Sequence, residues 1–311
     1  MYFLKRVALM IPLMLVISFF AFGLLHLAPG GPFDKERAPA SPEIDRALKA
    51  KYFLDEPVWK QYLIYLGFFP RKTPGLLQGD FGPSLKYRDH TVNDIISQAL
   101  PVSMTLGVLA FCFALGVGIP AGFYTAARKG RWQDFAGGFL VLLVICVPAL
   151  IVGPILVLIF GIEFRWFPVA LWESPLHAVL PTVTLGSYFA GRIARLMREG
   201  MLTTLHAEFI TTARAKGLSE TAVLIRHAFR LAVLPVVSYS GPLLADLLTG
   251  SFVVESIFQL PGIGVFLVNG LFNRDYTMVV GLVVVYSFLL LVLNLIVDLA
   301  YLLLDPRIKY E

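Results

Sequence analysis

Three carboxylates inside long apolar runs, Asp246, Glu255 and Asp298, are the side chains of this 311-residue sequence most able to do chemistry. An ionisable group at membrane depth needs a partner or water, which makes it a functional candidate, and proton coupling in a secondary transporter is one use for it. No Lys, Arg or His faces them at comparable depth, and no inverted internal repeat is visible. A structural role at a helix contact is therefore the reading for Asp246, and Asp298 stands near enough to the end of its run to reach the interface. Hydrolysis finds less support. The five histidines, at 26, 90, 177, 206 and 227, are scattered, and no HExxH pair occurs. Cys112 and Cys146 lack CxxC spacing and read as small core residues inside apolar helices, with no disulfide or metal role. With no GxxxxGK[ST] loop and no soluble stretch of NTPase size, the chain is expected to be no enzyme and to carry no metal or cofactor of its own.

A different kind of work is suggested by FITTARAKGLSETAVLIRHAFRLAVLP, residues 209–235. It sets Arg214, Lys216, Arg226 and Arg230 between two stretches almost free of charge. What a basic insert does depends on its solvent, and composition identifies that. Hydrophobic residues make up 57% of the chain and charged ones 15%, with 25 Phe and a mean hydropathy of +0.75. A soluble domain carries about 25% charged residues, so this chain belongs in a bilayer.

A membrane-crossing helix needs about 20 apolar residues, and six windows supply them: Val7–Leu27, Leu100–Ala127, Phe135–Ile162, Leu176–Met197, Ala232–Val254 and Tyr276–Leu304. None alternates apolar and polar residues as a barrel strand would, so the spans are helices. The fourth window is the weakest. It is kept because Arg192 and Arg195 can snorkel to the interface. The first, behind Lys5 and Arg6, resembles a secretion signal, but its apolar run is too long and His26-Leu27-Ala28 is a poor cleavage site, so a retained helix is expected.

Basic residues in short loops set the orientation. With six spans, Lys5 and Arg6, then Arg128, Lys129 and Arg131, then the run from Arg192 to Arg230, then Arg307 and Lys309, all fall on one side, and the short loops opposite carry only Arg165 and Arg274. Both termini are therefore expected in the cytoplasm. The net charge of +5 reflects this arrangement and gives no reason to expect nucleic acid as a partner. The long segment from Ala28 to Ala99 lies outside. Ser41-Pro42-Glu43 has the form of a helix start, and Trp59, Tyr62 and Tyr65 suit a segment lying on the membrane surface. It is either an anchored connector or a docking surface for an external protein.

The basic insert then lies in the cytosol, between the fourth and fifth windows. Thr203–Lys216 reads as one helix, ended by Gly217 in the left-handed conformation. Phe209, Ile210 and Ala213 share a face, while Thr211, Thr212 and Ala215 keep the rod thin enough for a groove. Ser219 can cap a second helix, Glu220–Leu231. A lipid-facing amphipathic hairpin remains an alternative for the loop, and a channel is not excluded by pattern.

TARAKGLS followed by RHAFRLAVLPVV resembles the EAA loop of the inner-membrane permease subunits of ATP-binding-cassette (ABC) importers. LAPGGPFD, LDEPVWKQY, GDFGPSLKYRDHTVNDII, TGSFVVESIFQLPGIGVFLVNGLFNRDY and the terminal LLDPRIKY extend the likeness over nearly the whole chain, toward the B-type permease of oligopeptide and dipeptide importers. Nickel and other solute permeases share much of this pattern, so a non-peptide solute stays open. The resemblance implies an all-α membrane protein of six transmembrane helices with the type I ABC importer permease fold. It implies an N-terminal helix and long periplasmic segment over 1–99, then a five-helix core over 100–311 with a cytoplasmic coupling loop at 199–231. The ATPase-coupling helix falls on Glu208, Phe209, Ile210, Thr211, Thr212, Ala213, Arg214, Ala215, Lys216 and Gly217. The EAA triplet itself lands on Thr211, Thr212 and Ala213, so its acidic first position is missing. The implied partners are a second homologous permease subunit, two cytoplasmic ATPase subunits that bind ATP and Mg, a periplasmic peptide-binding protein and the lipids of a bacterial inner membrane.

Overall fold

The computed structural model describes residues 2–27, 50–69, 74–87 and 89–304. The LAPGGPFD stretch beyond Leu27, the helix start expected at Ser41-Pro42-Glu43, and Arg307 and Lys309 lie outside them. Twelve helices follow in chain order among the described residues. The first four are α1 (Tyr2–Leu27), α2 (Val58–Leu66), α3 (Val92–Ala127) and α4 (Trp132–Cys146). Next come α5 (Ala149–Glu163, its last two turns π-helical), α6 (Val179–Leu205), α7 (Glu208–Ala215) and α8 (Glu220–Ala232, with a π segment at its centre). The chain continues with α9 (Leu234–Leu248), α10 (Phe252–Ile257), α11 (Ile263–Asn273) and α12 (Tyr276–Leu304).

Helices α1, α3 and α12 are each long and apolar enough to cross a bilayer, and the bent pairs α4–α5 and α8–α9 bring the possible crossings to five. The fourth window lies in α6, which has the length for a crossing at 27 residues but a mixed composition. The third window, read as one span, is two helices meeting at 104°. Val147 causes the break. It precedes Pro148, whose ring disfavours the helical region for its neighbour, and Val147 is extended at φ −86°, ψ 118°. The fifth window also ends early, at Leu248, and Glu255 belongs to the separate short helix α10.

The contacts divide the chain into two compact units, residues 1–101 with 261–311, and residues 102–260. In the first unit α12 packs along α1 and α11. Arg6 of α1 pairs with Asp298 of α12, so this acid has a partner inside the unit. Helix α2 docks on α1: the Tyr62 hydroxyl donates to the Leu15 carbonyl at 3.1 Å and lies 2.8 Å from the Ser18 hydroxyl, and His26 lies 3.1 Å from the Gln61 amide oxygen. Phe22, Tyr65, Val280 and Val284 close a buried cluster between the three helices. Part of the outer segment is thus built into the unit as structure.

Asp275 organises the other end of this unit. It is fully buried. It accepts from the Ser84 hydroxyl at 2.5 Å, from the backbone N–H groups of Leu85 and Lys86 at 3.1 and 3.2 Å, and from Met278 N–H at 3.2 Å. One carboxylate therefore caps α12 and pins the GPSLK turn. The turn in turn leads into α3, whose Val92, Ile95 and Ile96 pack with Met278 and Leu282.

In the second unit α6 is central, touching α4, α5, α8 and α9. Gly118 and Gly122 of α3 form a small-xxx-small pair, a device that lets helix backbones approach closely. A Cβ at Gly122 would collide with the Ala194 carbonyl oxygen of α6. Ala110, Ala114, Ile193, Met197, Met201 and Leu243 fill the core so formed. Exposed Phe135, Phe139 and Leu142 give α4 a lipid-compatible outer face.

Replacing Asp275 with Ala leaves buried donors unmatched and is expected to destabilise the first unit by about 2–4 kcal/mol. A lowered unfolding midpoint in detergent, with new trypsin cleavage at Lys86, is the expected result. An unchanged midpoint would show that the turn is held otherwise.

Candidate functional site

The basic insert opens where α6 stops. Ala207 is extended, at φ −75° and ψ 147°, and separates α6 from α7, so the helix expected over Thr203–Lys216 is two helices, the second starting at Glu208. At its far end Lys216 N–H donates to the Thr212 carbonyl at 3.1 Å, and Gly217 N–H donates to that of Arg214 at 2.9 Å. Gly217 adopts φ +78°, the left-handed conformation that residues with a Cβ resist. Ser219 then accepts from Ala222 N–H and starts α8. Arg214 closes the loop with paired hydrogen bonds of 3.1 and 2.7 Å to Glu220. Its guanidinium holds the Glu220 carboxyl below the ordinary value, against a smaller upward push from burial.

Ile210 is fully buried and Ala213 nearly so, and both belong to the core that contains Met197 and Met201 of α6, Val223 and Ala228 of α8, and Val236 of α9. Gly200 of α6 lies against the Ala232 backbone of α8 at the root of the loop, where a Cβ would collide with the carbonyl oxygen. Phe209 departs from the expected shared face. It is 41% exposed, as Leu218 is at 42%, while Glu208, Thr211, Thr212, Arg214, Ala215, Lys216 and Gly217 are exposed as well. The i, i+3 pair Ile210–Ala213 meets the core, and Phe209, about 100° around the helix from Ile210, is turned off it. The insert presents a thin, basic ridge with two apolar knobs, seated on the ends of three longer helices.

The three intramembrane acids are not brought together. Asp298 is paired with Arg6. Glu255 is fully buried in α10, where it accepts from the Ser103 hydroxyl at 2.8 Å and from Ser251 N–H at 3.3 Å. Asp246 is exposed on α9, so within this chain it is not the buried helix contact expected. Cys112 and Cys146 are both exposed on their helices, so within this chain they are not the core residues expected. Among the described residues no cluster of three His, Cys, Asp or Glu side chains converges as a metal site would require.

Three polar arrangements were not foreseen from sequence. Asp134, in the first turn of α4, receives Arg198 of α6 through hydrogen bonds of 2.9 and 3.1 Å and accepts from Gly130 N–H at 3.1 Å. Asp275 is the second. The third is Arg192, expected to snorkel to the interface, whose guanidinium instead lies over the rings of Tyr188 and Tyr239, 5.9 and 5.1 Å from their centroids. Only the Asp134 pairing left a trace in the sequence, as an acid among the basic residues of a short loop.

Comparison with known proteins converges on one kind of molecule. Residues 118–310 match the family described as binding-protein-dependent transport system inner membrane component. The oligopeptide transport system permease protein OppB of Haemophilus influenzae is 43% identical over 309 residues, covering 98% of each chain. The dipeptide transport system permease protein DppB of Bacillus subtilis is 40% identical over 308 residues, covering 99% of this chain and 97% of its own. Among solved structures, an inward-facing form of the MetNI methionine ABC transporter contains a chain that superposes with a TM-score of 0.58, at 14% identity, covering 68% of this chain and 96% of that one. That likeness is one of fold, the all-α type I permease fold.

The space around Gly217 is open, so a Cβ there meets no neighbour and strains only the backbone. Gly217→Ala is expected to speed amide exchange over 208–216 about tenfold, and Gly217→Asn less, because Asn tolerates the left-handed region better. Equal exchange in all three proteins would show that this turn does not hold the end of α7.

Proposed function

Because the chain belongs to the family of binding-protein-dependent transport system inner membrane components, we propose that it is the permease subunit of an ABC importer that forms half of a translocation pathway for oligopeptides. The substrate class is supported by end-to-end similarity to oligopeptide and dipeptide permeases. Nickel or another non-peptide solute finds no such support among these relatives. In this reading a second, homologous permease completes the pathway, two cytoplasmic ATPase subunits bind ATP and Mg, and a periplasmic binding protein delivers the peptide. The chain itself catalyses nothing. It lies in the bacterial inner (plasma) membrane with both termini cytoplasmic, an orientation favoured by the basic residues Arg128, Lys129 and Arg131 and those from Arg195 to Arg230. Residues 1–99 serve the outer side, and 100–311 carry the transport machinery.

The observation that carries this reading is the build of α7. A permease must turn closure of its ATPases into helix movement, and a packed element tied to several spans can transmit such motion. Helix α7, as the coupling helix with Glu208 to Gly217 as its docking segment, has one face in the core of the spans and the other exposed, with Phe209 as a knob on it and Leu218 as a second just beyond Gly217. A lipid-facing hairpin would bury those knobs in the bilayer instead. Proton coupling gains nothing from Asp298 and Glu255, which are engaged by Arg6 and Ser103.

Uptake of a labelled oligopeptide is measured in vesicles containing this chain with its co-purifying subunits. It is expected to require ATP on the cytoplasmic side and the binding protein, and to persist when the proton gradient is collapsed. Uptake that follows the proton gradient without ATP would overturn the importer reading. Phe209→Asp, at an exposed site, is expected to leave insertion and unfolding midpoint unchanged while cutting uptake by about tenfold or more, as loss of an interface anchor does. Wild-type uptake by this variant would remove α7 from the coupling role.

A further inference from the structure

Two charged side chains on the outside of the second unit stand apart from the ion pairs of their helices. Arg192 of α6 and Asp246 of α9 are both exposed. The other charges of α6 are matched: Arg198 meets Asp134, and Arg195 meets Glu199 at 2.9 Å. Arg192 and Asp246 form no ion pair among the described residues. Arg192 lies six residues deeper into α6 than Arg198, about 9 Å along the axis.

Snorkelling does not account for Arg192. Side chains on a helix lean toward its N-terminus, and the guanidinium lies over Tyr188, one turn toward that end. It is aimed away from the loop end of α6, where Arg198 and Glu199 sit. On α9, Ser238, Pro242 and Asp246 recur at i, i+4 and i+8 and are all exposed. Tyr239, whose ring carries Arg192, belongs to the same side of the helix. Asp246 follows seven residues beyond it, about 10 Å further along. Charges in membrane-spanning segments face a bundle interior or water, because lipid solvates them poorly. These two do not face the interior of their own chain.

We infer that Tyr188, Arg192, Ser238, Tyr239 and Asp246 form this chain's wall of the aqueous translocation path, with Arg192 as the transient docking point for the carboxylate of a passing peptide. The inference rests on the peptide-importer reading. Charge complementarity carries it: Arg192 rests on Tyr239 and Asp246 stands about 10 Å beyond Tyr239 along α9, so a cation and an anion on one side of the unit can meet the two ends of a short zwitterionic peptide, which extends about 3.3 Å per residue. Tyrosine and serine between them offer hydrogen bonds that suit any peptide backbone.

The test has two arms in the assembled transporter, with Cys112 and Cys146 replaced by Ala. In the first, Ser238→Cys is treated with a charged, membrane-impermeant thiosulfonate and compared with Leu142→Cys on the lipid-compatible face of α4. Labelling at 238 and none at 142 is expected. A silent 238 would mean that lipid or a partner subunit covers this face, and the wall assignment would fall. In the second arm one peptide is supplied as free acid and as C-terminal amide. Arg192→Gln is expected to slow the acid about tenfold more than the amide, the loss of one charge-assisted contact, while Arg192→Lys restores most of the difference. Equal slowing of acid and amide would overturn the docking role and point to an ion pair with another subunit. Absence of ATP-driven uptake in the unsubstituted transporter would instead fail the importer reading, and the labelling result would stand apart from it.

Discussion

The burial of Ile210 and Ala213 is the contact on which the basic insert of this protein depends. A helix the length of α7 is far too short to persist alone in water, where helices below about 12–15 residues are marginal. Fully burying a side chain such as Ile210 contributes about 1.5–3 kcal/mol, and here the cover comes from Met197, Met201, Val223, Ala228 and Val236. The helix therefore exists only as an extension of α6, α8 and α9. Close-packed interiors transmit strain rather than absorb it. A force on the outer ridge, through Phe209 and Leu218, is thus delivered to the ends of three longer helices, while Gly217 and the Arg214–Glu220 pair keep the loop from giving way first.

The bilayer determines how every other polar group must be treated. Each buried acid has donors arranged around it. Asp275 is surrounded by Ser84 and three backbone N–H groups, Asp134 by Arg198 and Gly130, and Glu255 by Ser103 and Ser251. These satisfied acids are fasteners. Asp275 joins a turn to a helix, Asp134 joins α4 to α6, and Glu255 joins α10 to α3. Breaking such a fastener leaves a charge or a donor stranded, which costs more than the bond contributed. Arg192 and Asp246 are of another kind, since no acid or base among the described residues completes them and the side they occupy carries Ser238 rather than a row of Phe and Leu.

Local signals in the sequence proved readable. Ser219 as a cap and Gly217 as a left-handed stop follow from the chemistry of one residue and its neighbours, and both are present in the structure. The apolar windows located the long helices for the same reason. What the sequence hid were choices between near-equal local options and pairings between distant residues. Phe209–Ala213 and Ile210–Ala213 are both acceptable helical faces, and only the packing of Met197 and Met201 decides for the second. Val147-Pro148 permits a gentle kink or a sharp break, and the contacts of α5 with α6 and α10 accompany the break. Asp275 and Ser84 are separated by 191 residues, beyond the reach of any periodicity. Arg192 was misplaced because snorkelling is the default for a basic residue near a span's end, and the rings that redirect it come from two helices.

The weakness of the fourth apolar window now has a physical explanation. Helix α6 meets α3 closely at Gly122, holds α4 through Arg198, and gives Met197 and Met201 to the core around Ile210. Its remaining side carries Tyr188, Arg192 and the Arg195–Glu199 pair. A helix committed to protein on one side and to polar groups on the other has little surface left for lipid, so selection for a long run of Leu and Phe is absent. Low apolarity in a helix of full spanning length then marks a helix surrounded by protein and water. By the same argument α4, with Phe135, Phe139 and Leu142 on its outside, stands at the lipid. Because α6 joins the seat of α7 to the face bearing Arg192 within one continuous rod, any displacement of the basic insert must also move that face.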